Sequence, residues 1–204
     1  MVSLVRRRGI TDERVLEAMG RVPRELFVPR ELERRAYDDS ALPIGLGRTI
    51  SQPAIVAHMC ALLAVGPGSR VLDVGVGSGY AAAVLATMGC DVVGIELLPE
   101  LAVRAEAALA NAGISLEVRV GDGRGGAPDR APFDAISVAA AAARAPEALV
   151  AQLVEGGRLV LPVGTAAGQR LIRLTRTADT TREERFEPCL FVPLVAPADG
   201  TLGR

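Results

Sequence analysis

Three acidic residues and a set of closely spaced glycines carry the clearest chemical signal in this sequence. Asp73 lies in a short apolar run that leads into the glycine loop, Gly75-x-Gly77-x-Gly79. Glu96 ends the next apolar run, and Asp122 follows a third run within Gly121-Asp122-Gly123. Because the carboxyl ends of neighbouring parallel strands meet at one edge of a sheet, these residues are expected to line one binding site.

The spacing of these residues indicates the kind of ligand. A glycine loop between a strand and a helix permits close backbone approach to a ligand, but alone it is a weak signal. A dinucleotide fingerprint needs a third small residue at position 80, where this chain has Tyr80. Asp73 would also place a negative charge near a pyrophosphate, which is unfavourable. The ammonium or sulfonium group of S-adenosylmethionine is instead attracted to that carboxylate, so we predict this cofactor over a nicotinamide.

Glu96 and Asp122 are predicted to bind the nucleoside part of the cofactor. Glu96 at a strand end can accept hydrogen bonds from both ribose hydroxyls, or it is an ordinary solvated acid. Asp122 can accept a hydrogen bond from the adenine amino group, or it is an ordinary turn aspartate. Three acids at three successive strand ends form a stronger signal together than any one alone.

Strands and helices alternate along most of the chain, which predicts a parallel sheet with right-handed crossovers. The expected strands are 71–74, 91–95, 116–120, 132–136 and 158–161, and the expected helices are 79–88, 99–112 and 146–153. Two late strands, 170–175 and 190–195, are predicted to flank a charged turn and to pair antiparallel at one edge. Upstream, the sequence predicts a helix capped at 11–13, short helical structure at 30–36 and a buried helix at 54–64. The stretch 41–53, with two glycines and two prolines, is predicted to be a surface loop.

Composition limits the function classes. Of 204 residues, 50% are hydrophobic and 23% charged, with net charge −1, which predicts one compact domain. Arg6-Arg7-Arg8 is the sole basic run, so we expect no nucleic-acid partner. Three scattered cysteines and one histidine predict free thiols and no metal site. No signal or membrane segment is recognised, so we expect a cytoplasmic protein without a membrane partner.

Several motifs are spread over nearly the whole chain. They are Val22-Pro23-Arg24-Glu25-Leu26-Phe27-Val28-Pro29, Arg35-Ala36-Tyr37, Ala41-Leu42-Pro43-Ile44-Gly45, Thr49-Ile50-Ser51-Gln52-Pro53, the glycine loop, Pro132-Phe133-Asp134-Ala135-Ile136, Leu161-Pro162-Val163-Gly164 and Phe191-Val192-Pro193-Leu194-Val195. This combination resembles the protein-L-isoaspartate O-methyltransferase family. The glycine loop is shared by all methyltransferases of this fold, whereas Thr49 to Pro53 with the preceding Leu-Pro-Ile-Gly is distinctive of the family.

The resemblance implies a Rossmann-like S-adenosylmethionine-dependent methyltransferase fold. It implies a mostly parallel central sheet with late antiparallel edge strands and an N-terminal helical segment. We expect a single domain over 1–204, with a helical and substrate-lip segment at 1–66, a cofactor-binding core at 67–164 and edge strands at 165–204. A monomer is expected.

The resemblance also implies methylation of the free α-carboxylate of L-isoaspartyl residues, and often of D-aspartyl residues, in aged proteins. The ester then closes to a succinimide, which starts repair. A carboxylate with a pKa of about 3.5 to 4 is already ionised at neutral pH, so the enzyme must align it rather than deprotonate it. Ser51 is the implied catalytic residue, holding the carboxylate through hydrogen bonds. Its alternative role is a helix cap, and the two roles are compatible.

The residues expected in the site form two sets. Cofactor contacts are expected at Thr49, Ile50, Asp73, Gly75, Gly77, Ser78, Gly79, Glu96, Leu97, Asp122 and Gly123. Substrate contacts are expected at Ser51, Gln52 and Gln169, and no metal is expected. His58 is interpreted as a structural histidine.

Two departures from the family pattern leave the substrate open. The stretch 137–144 is alanine-rich where the family commonly has Thr and a Pro pair, and Val76 replaces a usual Thr or Ser. The alternatives are an enzyme that esterifies an aspartate in a dedicated peptide natural product, and a small-molecule methyltransferase. A catalytically inactive binding module is disfavoured by intact Asp73, Glu96, Asp122 and Ser51.

Overall fold

A computed structural model describes residues 1–197 of the chain and contains nine strands and six α-helices in that range. The strands are β1 (Leu42–Gly45), β2 (Arg48–Ile50), β3 (Arg70–Val74), β4 (Asp91–Glu96), β5 (Glu117–Val120), β6 (Phe133–Val138), β7 (Leu153–Thr165), β8 (Gly168–Arg176) and β9 (Thr181–Cys189). The α-helices are α1 (Val2–Arg7), α2 (Glu13–Arg21), α3 (Pro53–Leu63), α4 (Tyr80–Thr87), α5 (Pro99–Asn111) and α6 (Glu147–Ala151). Short 3-10 helices cover Arg24–Phe27, Arg30–Arg35 and Gly123–Gly125. The predicted segment 165–204 ends in positions 198–204, which lie outside the described residues.

Seven strands form one sheet in the order β5-β4-β3-β6-β7-β8-β9. The neighbours from β5 to β7 pair in parallel, and β8 and β9 are added antiparallel. The predicted mostly parallel sheet with late antiparallel strands is therefore confirmed. The strand order reverses at β3, which lies between β4 and β6, and ligands of such sheets bind at the carboxyl ends of strands at this point.

Both faces of the sheet are covered by apolar side chains. Val71 of β3 belongs to the cluster beneath α1 to α5, whereas Leu72 belongs to the cluster on the opposite face, which includes Leu149 of α6. Successive side chains of a strand point to opposite faces, so a strand buried on both sides is apolar throughout. This explains why positions 71–74 of β3 form an apolar run that only Asp73 interrupts.

The stretch 41–53 is not a surface loop, and that prediction was wrong. β1 and β2 pair as an antiparallel hairpin, in which Leu42 and Ile44 are buried while Pro43 between them is exposed. The turn at positions 45–47 has positive φ at every residue, and two of the three are glycines. Glycine and proline therefore mark the turn and the exposed face of this hairpin, and the alternating apolar residues anchor it.

The C-terminal part also differs from prediction. The charged stretch taken as a turn is β9, and the predicted strand 190–195 is instead an irregular strap with one β-bridge, between Pro193 and Ala141. β9 is an edge strand whose charged side chains pair across to β8, as in the 2.8 Å contact of Arg173 with Glu184. The sheet thus gains a polar edge that apolar periodicity does not predict.

Two helices, α3 and α6, end one or two residues before their predicted ends. α6 ends at Ala151, so the predicted helix 146–153 was too long and Leu153 already belongs to β7. α3 ends where Ala64 adopts a left-handed conformation with φ +49°. Within residues 1–197, no helix combines the length and the apolar character needed to cross a bilayer.

Gly164 lies near the end of β7, where its close packing can be tested by substitution. A Cβ atom there would lie 2.1 Å from the Gly168 carbonyl oxygen, and φ is +140°. We expect Gly164→Ala to lower the free energy of unfolding by at least about 2 kcal/mol in urea denaturation, because the clash is with backbone. Gly168→Ala is the matched control, since nothing lies within 4 Å of its Cβ position. Equal stability of the two variants would contradict this packing.

Candidate active site

A cavity of about 380 Å³ opens at the carboxyl ends of β3 and β4. Its wall is formed by β2 with the following turn and the start of α3, the glycine loop with the start of α4, the end of β4, Gly123, the residues after β6, and the strap. Its lining includes Arg48, Thr49, Ile50, Ser51, Gln52, Gly75, Val76, Gly77, Ser78, Glu96, Leu97, Gly123, Ala139, Ala140 and residues 188–195. The structure thus brings most of the predicted cofactor residues to one cavity of a size typical for small-molecule sites.

The glycine loop needs its glycines for backbone geometry. Gly75, Gly77 and Gly79 have φ values of +82°, +56° and +91°, which residues with a Cβ adopt rarely. The Gly77 amide donates to Oε2 of Glu96 at 2.8 Å, so the loop is fixed to the end of β4. Gly79 is not in the cavity wall; its Cβ position lies 3.4 Å from Ala105 of α5, so this glycine serves close packing.

Glu96 is a buried acid at the cavity wall, with 5% of its surface exposed. Besides accepting from Gly77, it accepts from the Leu98 amide at 3.0 Å through Oε1. The alternative of a solvated strand-end acid was therefore wrong. A carboxylate has about four acceptor positions, so capacity for two ribose hydroxyls remains.

Asp73 lies behind the wall, where Val74 and Gly75 face the cavity. It is 1% exposed, and neither carboxylate oxygen has a hydrogen-bond partner within residues 1–197. Burial raises the pKa of Asp73 to about 7. A buried carboxylate without a partner is unfavourable, so this environment suits a nearby cation.

Asp122 is occupied by its own loop. It caps the 3-10 helix at 123–125 by accepting from the Arg124 amide at 3.0 Å, and it pairs with the Arg124 guanidinium at 2.6 Å. This pairing lowers the pKa of Asp122, so the carboxylate is ionised at neutral pH. Asp122 is not in the cavity wall, but Gly123 is, and a Cβ on Gly123 would lie 2.3 Å from Cγ1 of Val74. The structure therefore shows a turn aspartate, and its adenine contact stays a prediction.

Ser51 lies in the cavity wall just before α3. Gln52 is the N-cap residue of α3, and the Ala54 amide donates to Oδ1 of Asp39 at 3.2 Å. The alternative of Ser51 as the helix cap was therefore wrong. No hydrogen bond within residues 1–197 involves the Ser51 hydroxyl, which leaves it available to a ligand.

Arg24 is a functional candidate that the sequence reasoning missed. Its side chain is fully buried, and its Nη2 donates to the Ser51 carbonyl at 2.7 Å while its Nε donates to the Ala36 carbonyl at 2.7 Å. The guanidinium also lies 4.5 Å from the ring centre of Tyr80. Burial lowers the pKa of Arg24, yet an arginine stays protonated. No signal in the sequence shows that this motif arginine reaches Ser51.

Gln169 is not in the cavity wall, and its substrate contact stays a prediction. It is 8% exposed, its Nε2 donates to the Phe191 carbonyl at 3.0 Å, and its Oε1 accepts from the Phe191 amide at 2.7 Å. Both ends of the amide therefore hold the strap. Ala141 holds it from the other side through two backbone hydrogen bonds of 2.8 Å, to Val192 and from Leu194.

The remaining predictions concern His58 and metal binding. His58 is not in the cavity wall; its Nδ1 lies 2.6 Å from Oε1 of Glu187, which joins α3 to β9. Among the described residues, no group of three or more His, Cys, Asp and Glu side chains is arranged to hold a metal ion.

Comparison with known proteins decides the family. The model of the protein-L-isoaspartate(D-aspartate) O-methyltransferase family matches residues 1–199. The chain belongs to this family. Its identity to the protein-L-isoaspartate O-methyltransferase of Methylorubrum populi is 57% over 189 residues, which cover 92% of this chain and 89% of the relative.

Two solved structures of protein-L-isoaspartate O-methyltransferases resemble the chain over nearly its full length. One has a TM-score of 0.86 at 26% identity; the match covers 96% of this chain, and this chain spans 65% of that one. The other, from Plasmodium falciparum in complex with S-adenosyl-L-homocysteine, has a TM-score of 0.81 at 27% identity and covers 95% and 96% of the two chains. The predicted family, methyltransferase fold and S-adenosylmethionine cofactor are therefore confirmed.

The contacts of the Arg24 guanidinium can be tested by substitution with lysine. We expect Arg24→Lys to lower the free energy of unfolding by about 2 to 3 kcal/mol, because a lysine keeps the charge but cannot donate to both carbonyls and stack on Tyr80. Urea denaturation measures this. Arg30→Lys is the control at an exposed site and should change stability by less than about 0.5 kcal/mol. Unchanged stability of Arg24→Lys would mean that the positive charge alone accounts for the contribution of Arg24 to stability.

The burial of Asp73 predicts how its contribution to stability depends on pH. Its carboxyl has a raised pKa in the folded state, so the contribution of Asp73 to stability is lost as pH rises from about 4 to about 7. Asp73→Asn lacks this ionisation, and we expect its stability relative to the unsubstituted protein to rise by about 2 to 4 kcal/mol across that window. Urea denaturation at several pH values tests this, with exposed Asp91→Asn as the control. A difference that does not vary with pH would rule out the unpaired carboxylate.

Proposed function

We propose that this chain methylates the free α-carboxylate of L-isoaspartyl residues, and of D-aspartyl residues, in damaged proteins, with S-adenosylmethionine as the methyl donor. The observation that carries the proposal is the position of Ser51. Its unengaged hydroxyl lies in the same cavity wall as the glycine loop and Glu96, and its backbone is fixed by Arg24. The cavity therefore contains both the proposed cofactor site and a hydroxyl group that can position the nucleophile, which is the substrate carboxylate.

The residues present fit S-adenosylmethionine. Asp73 supplies an unpaired buried carboxylate, which suits the ammonium or sulfonium group. Glu96 retains acceptor positions for the ribose, and Gly123 lets the loop of Asp122 approach the base. Contacts from Thr49, Ile50, Gly75, Gly77, Ser78 and Leu97 complete the proposed cofactor site.

The proposed mechanism depends on alignment. S-adenosylmethionine, when bound, supplies a methyl group on a positively charged sulfur. The Ser51 hydroxyl donates a hydrogen bond to one carboxylate oxygen of the substrate, with Gln52 beside it, and so orients the other oxygen toward the methyl carbon. β2 and the strap line the cavity, and a peptide bound between them would displace water that otherwise stabilises the carboxylate by solvation. No general base is needed, because the carboxylate is already ionised.

We further propose that the chain acts as a cytoplasmic monomer on isoaspartyl proteins or peptides, without a nucleic-acid or membrane partner. The near-neutral net charge of −1 supports the absence of a nucleic-acid partner. We also retain the division into the segments 1–66, 67–164 and 165–204 as a proposal. The alternative, a dedicated peptide substrate, rests on Ala139 and Ala140, which line the cavity in the stretch that departs from the family pattern.

Methyl transfer to a defined peptide tests the proposal. With labelled S-adenosylmethionine, we expect label on an isoaspartyl peptide and none on its aspartyl twin. Ser51→Ala should lower kcat/KM by about 10- to 100-fold, because one hydrogen bond to a charged group is lost. Ser115→Ala, at an exposed site outside the cavity, should leave it unchanged.

Calorimetry with S-adenosyl-L-homocysteine separates the possible failures. If the cofactor product binds normally but neither peptide is labelled, the repair function is wrong and a dedicated substrate becomes the better assignment. If the isoaspartyl peptide is labelled equally by Ser51→Ala, the function stands but the role of Ser51 is wrong.

A further inference from the structure

Arg48 is the cation in the cavity wall that has no carboxylate partner within residues 1–197. The lining contains two charged side chains, Glu96 and Arg48. Glu96 accepts two backbone hydrogen bonds, as described above. Within residues 1–197, no carboxylate oxygen lies within 4.0 Å of the Arg48 side chain, and its sole hydrogen bond is a 3.5 Å contact with the adjacent Gly47 carbonyl. That contact is longer than a normal hydrogen bond, so the guanidinium is available to a ligand.

Other arginines around the cavity are engaged in holding the fold. Arg24 holds the Ser51 carbonyl, Arg104 donates to the Ile44 carbonyl of the hairpin at 3.1 Å, and Arg124 pairs with Asp122. Arg48 is half-buried on β2 and makes no such contact. A planar guanidinium in this position has donors matched to a carboxylate, which it binds through two parallel hydrogen bonds.

We propose that Arg48 is a specificity residue that binds a second carboxylate of the substrate, close in sequence to the isoaspartyl residue. This inference rests on the proposed function. Arg48 precedes Ser51 by three residues, a span of at most about 11 Å. Neighbouring residues of an extended peptide bound at Ser51 lie within that distance.

The carboxylate that is methylated belongs with Ser51 rather than with Arg48. A tight ion pair with a guanidinium would stabilise the carboxylate before reaction and make it a poorer nucleophile. A carboxylate that is not methylated has no such cost, and its pairing with Arg48 improves binding alone. The preferred substrates are therefore peptides with an acidic side chain, or a free C-terminal carboxylate, beside the damaged residue.

Matched peptides test this assignment. All carry an isoaspartyl residue, an acetylated N-terminus and an amidated C-terminus, and they differ only in Glu or Gln directly before or directly after that residue. A further peptide has Gln and a free C-terminal carboxylate directly after the isoaspartyl residue, which distinguishes the two sources. For the unsubstituted protein we expect at least one carboxylate peptide to have a KM about 3- to 10-fold lower than its uncharged twin, at similar kcat. The advantage should shrink as salt is raised to about 0.5 M.

Arg48→Gln should abolish this preference by raising the KM of the carboxylate peptides to that of their uncharged twins. Arg30→Gln removes the same charge at an exposed site outside the cavity and should keep the preference. Turnover of the uncharged peptides without any preference would overturn the role of Arg48 alone, as would a preference that persists in Arg48→Gln. Weaker binding of S-adenosyl-L-homocysteine by Arg48→Gln, with peptide preference intact, would overturn it by assigning Arg48 to the cofactor's carboxylate. No turnover of any peptide would overturn both this inference and the proposed function.

Discussion

The buried guanidinium of Arg24 is the interaction on which the arrangement of the active site depends. It joins the end of the 3-10 helical segment through Ala36, the residue before α3 through Ser51, and α4 through the ring of Tyr80. A buried charge is unfavourable unless the protein solvates it, and here two carbonyl dipoles and an aromatic face supply that solvation, while Nη1 has no hydrogen-bond partner within residues 1–197. Because these three groups all contact one planar guanidinium, the backbone of Ser51 is held in the cavity wall while its hydroxyl makes no hydrogen bond within residues 1–197.

Glu96 and Asp73 are both buried near the glycine loop, but their different surroundings give them different roles. Glu96 is satisfied by the amides of Gly77 and Leu98, so its charge maintains the shape of the loop. Asp73 has no such partners and is kept at the cost of stability. A residue that breaks a local packing rule without compensation usually serves function. The loop is therefore both rigid and electrostatically prepared for a cation.

Sequence patterns predicted the parts of the fold in which residue type and burial agree. β3 and β4 end at Val74 and Glu96, close to the predicted ends, since apolar runs buried on both faces are distinctive. The hairpin of β1 was missed because its glycines and prolines outweighed a short alternating pattern, and β9 was missed because an exposed edge strand needs no apolar face. The contacts of Arg24 and Gln169 were beyond prediction, because their partners are backbone groups 12 to 27 residues away.

The composition of the cavity wall suits the proposed reaction for an electrostatic reason. An anionic carboxylate and a positively charged methyl donor combine to give a neutral ester and a neutral thioether, so charge disappears along the reaction coordinate. Water stabilises the separated charges and so opposes such a step, whereas a wall of mostly uncharged groups does so less. Within the described residues the wall has Glu96 and Arg48 as its charged side chains, and Glu96 is already engaged by amides. The site therefore requires no acid or base, and its specificity depends on what the remaining cation contacts.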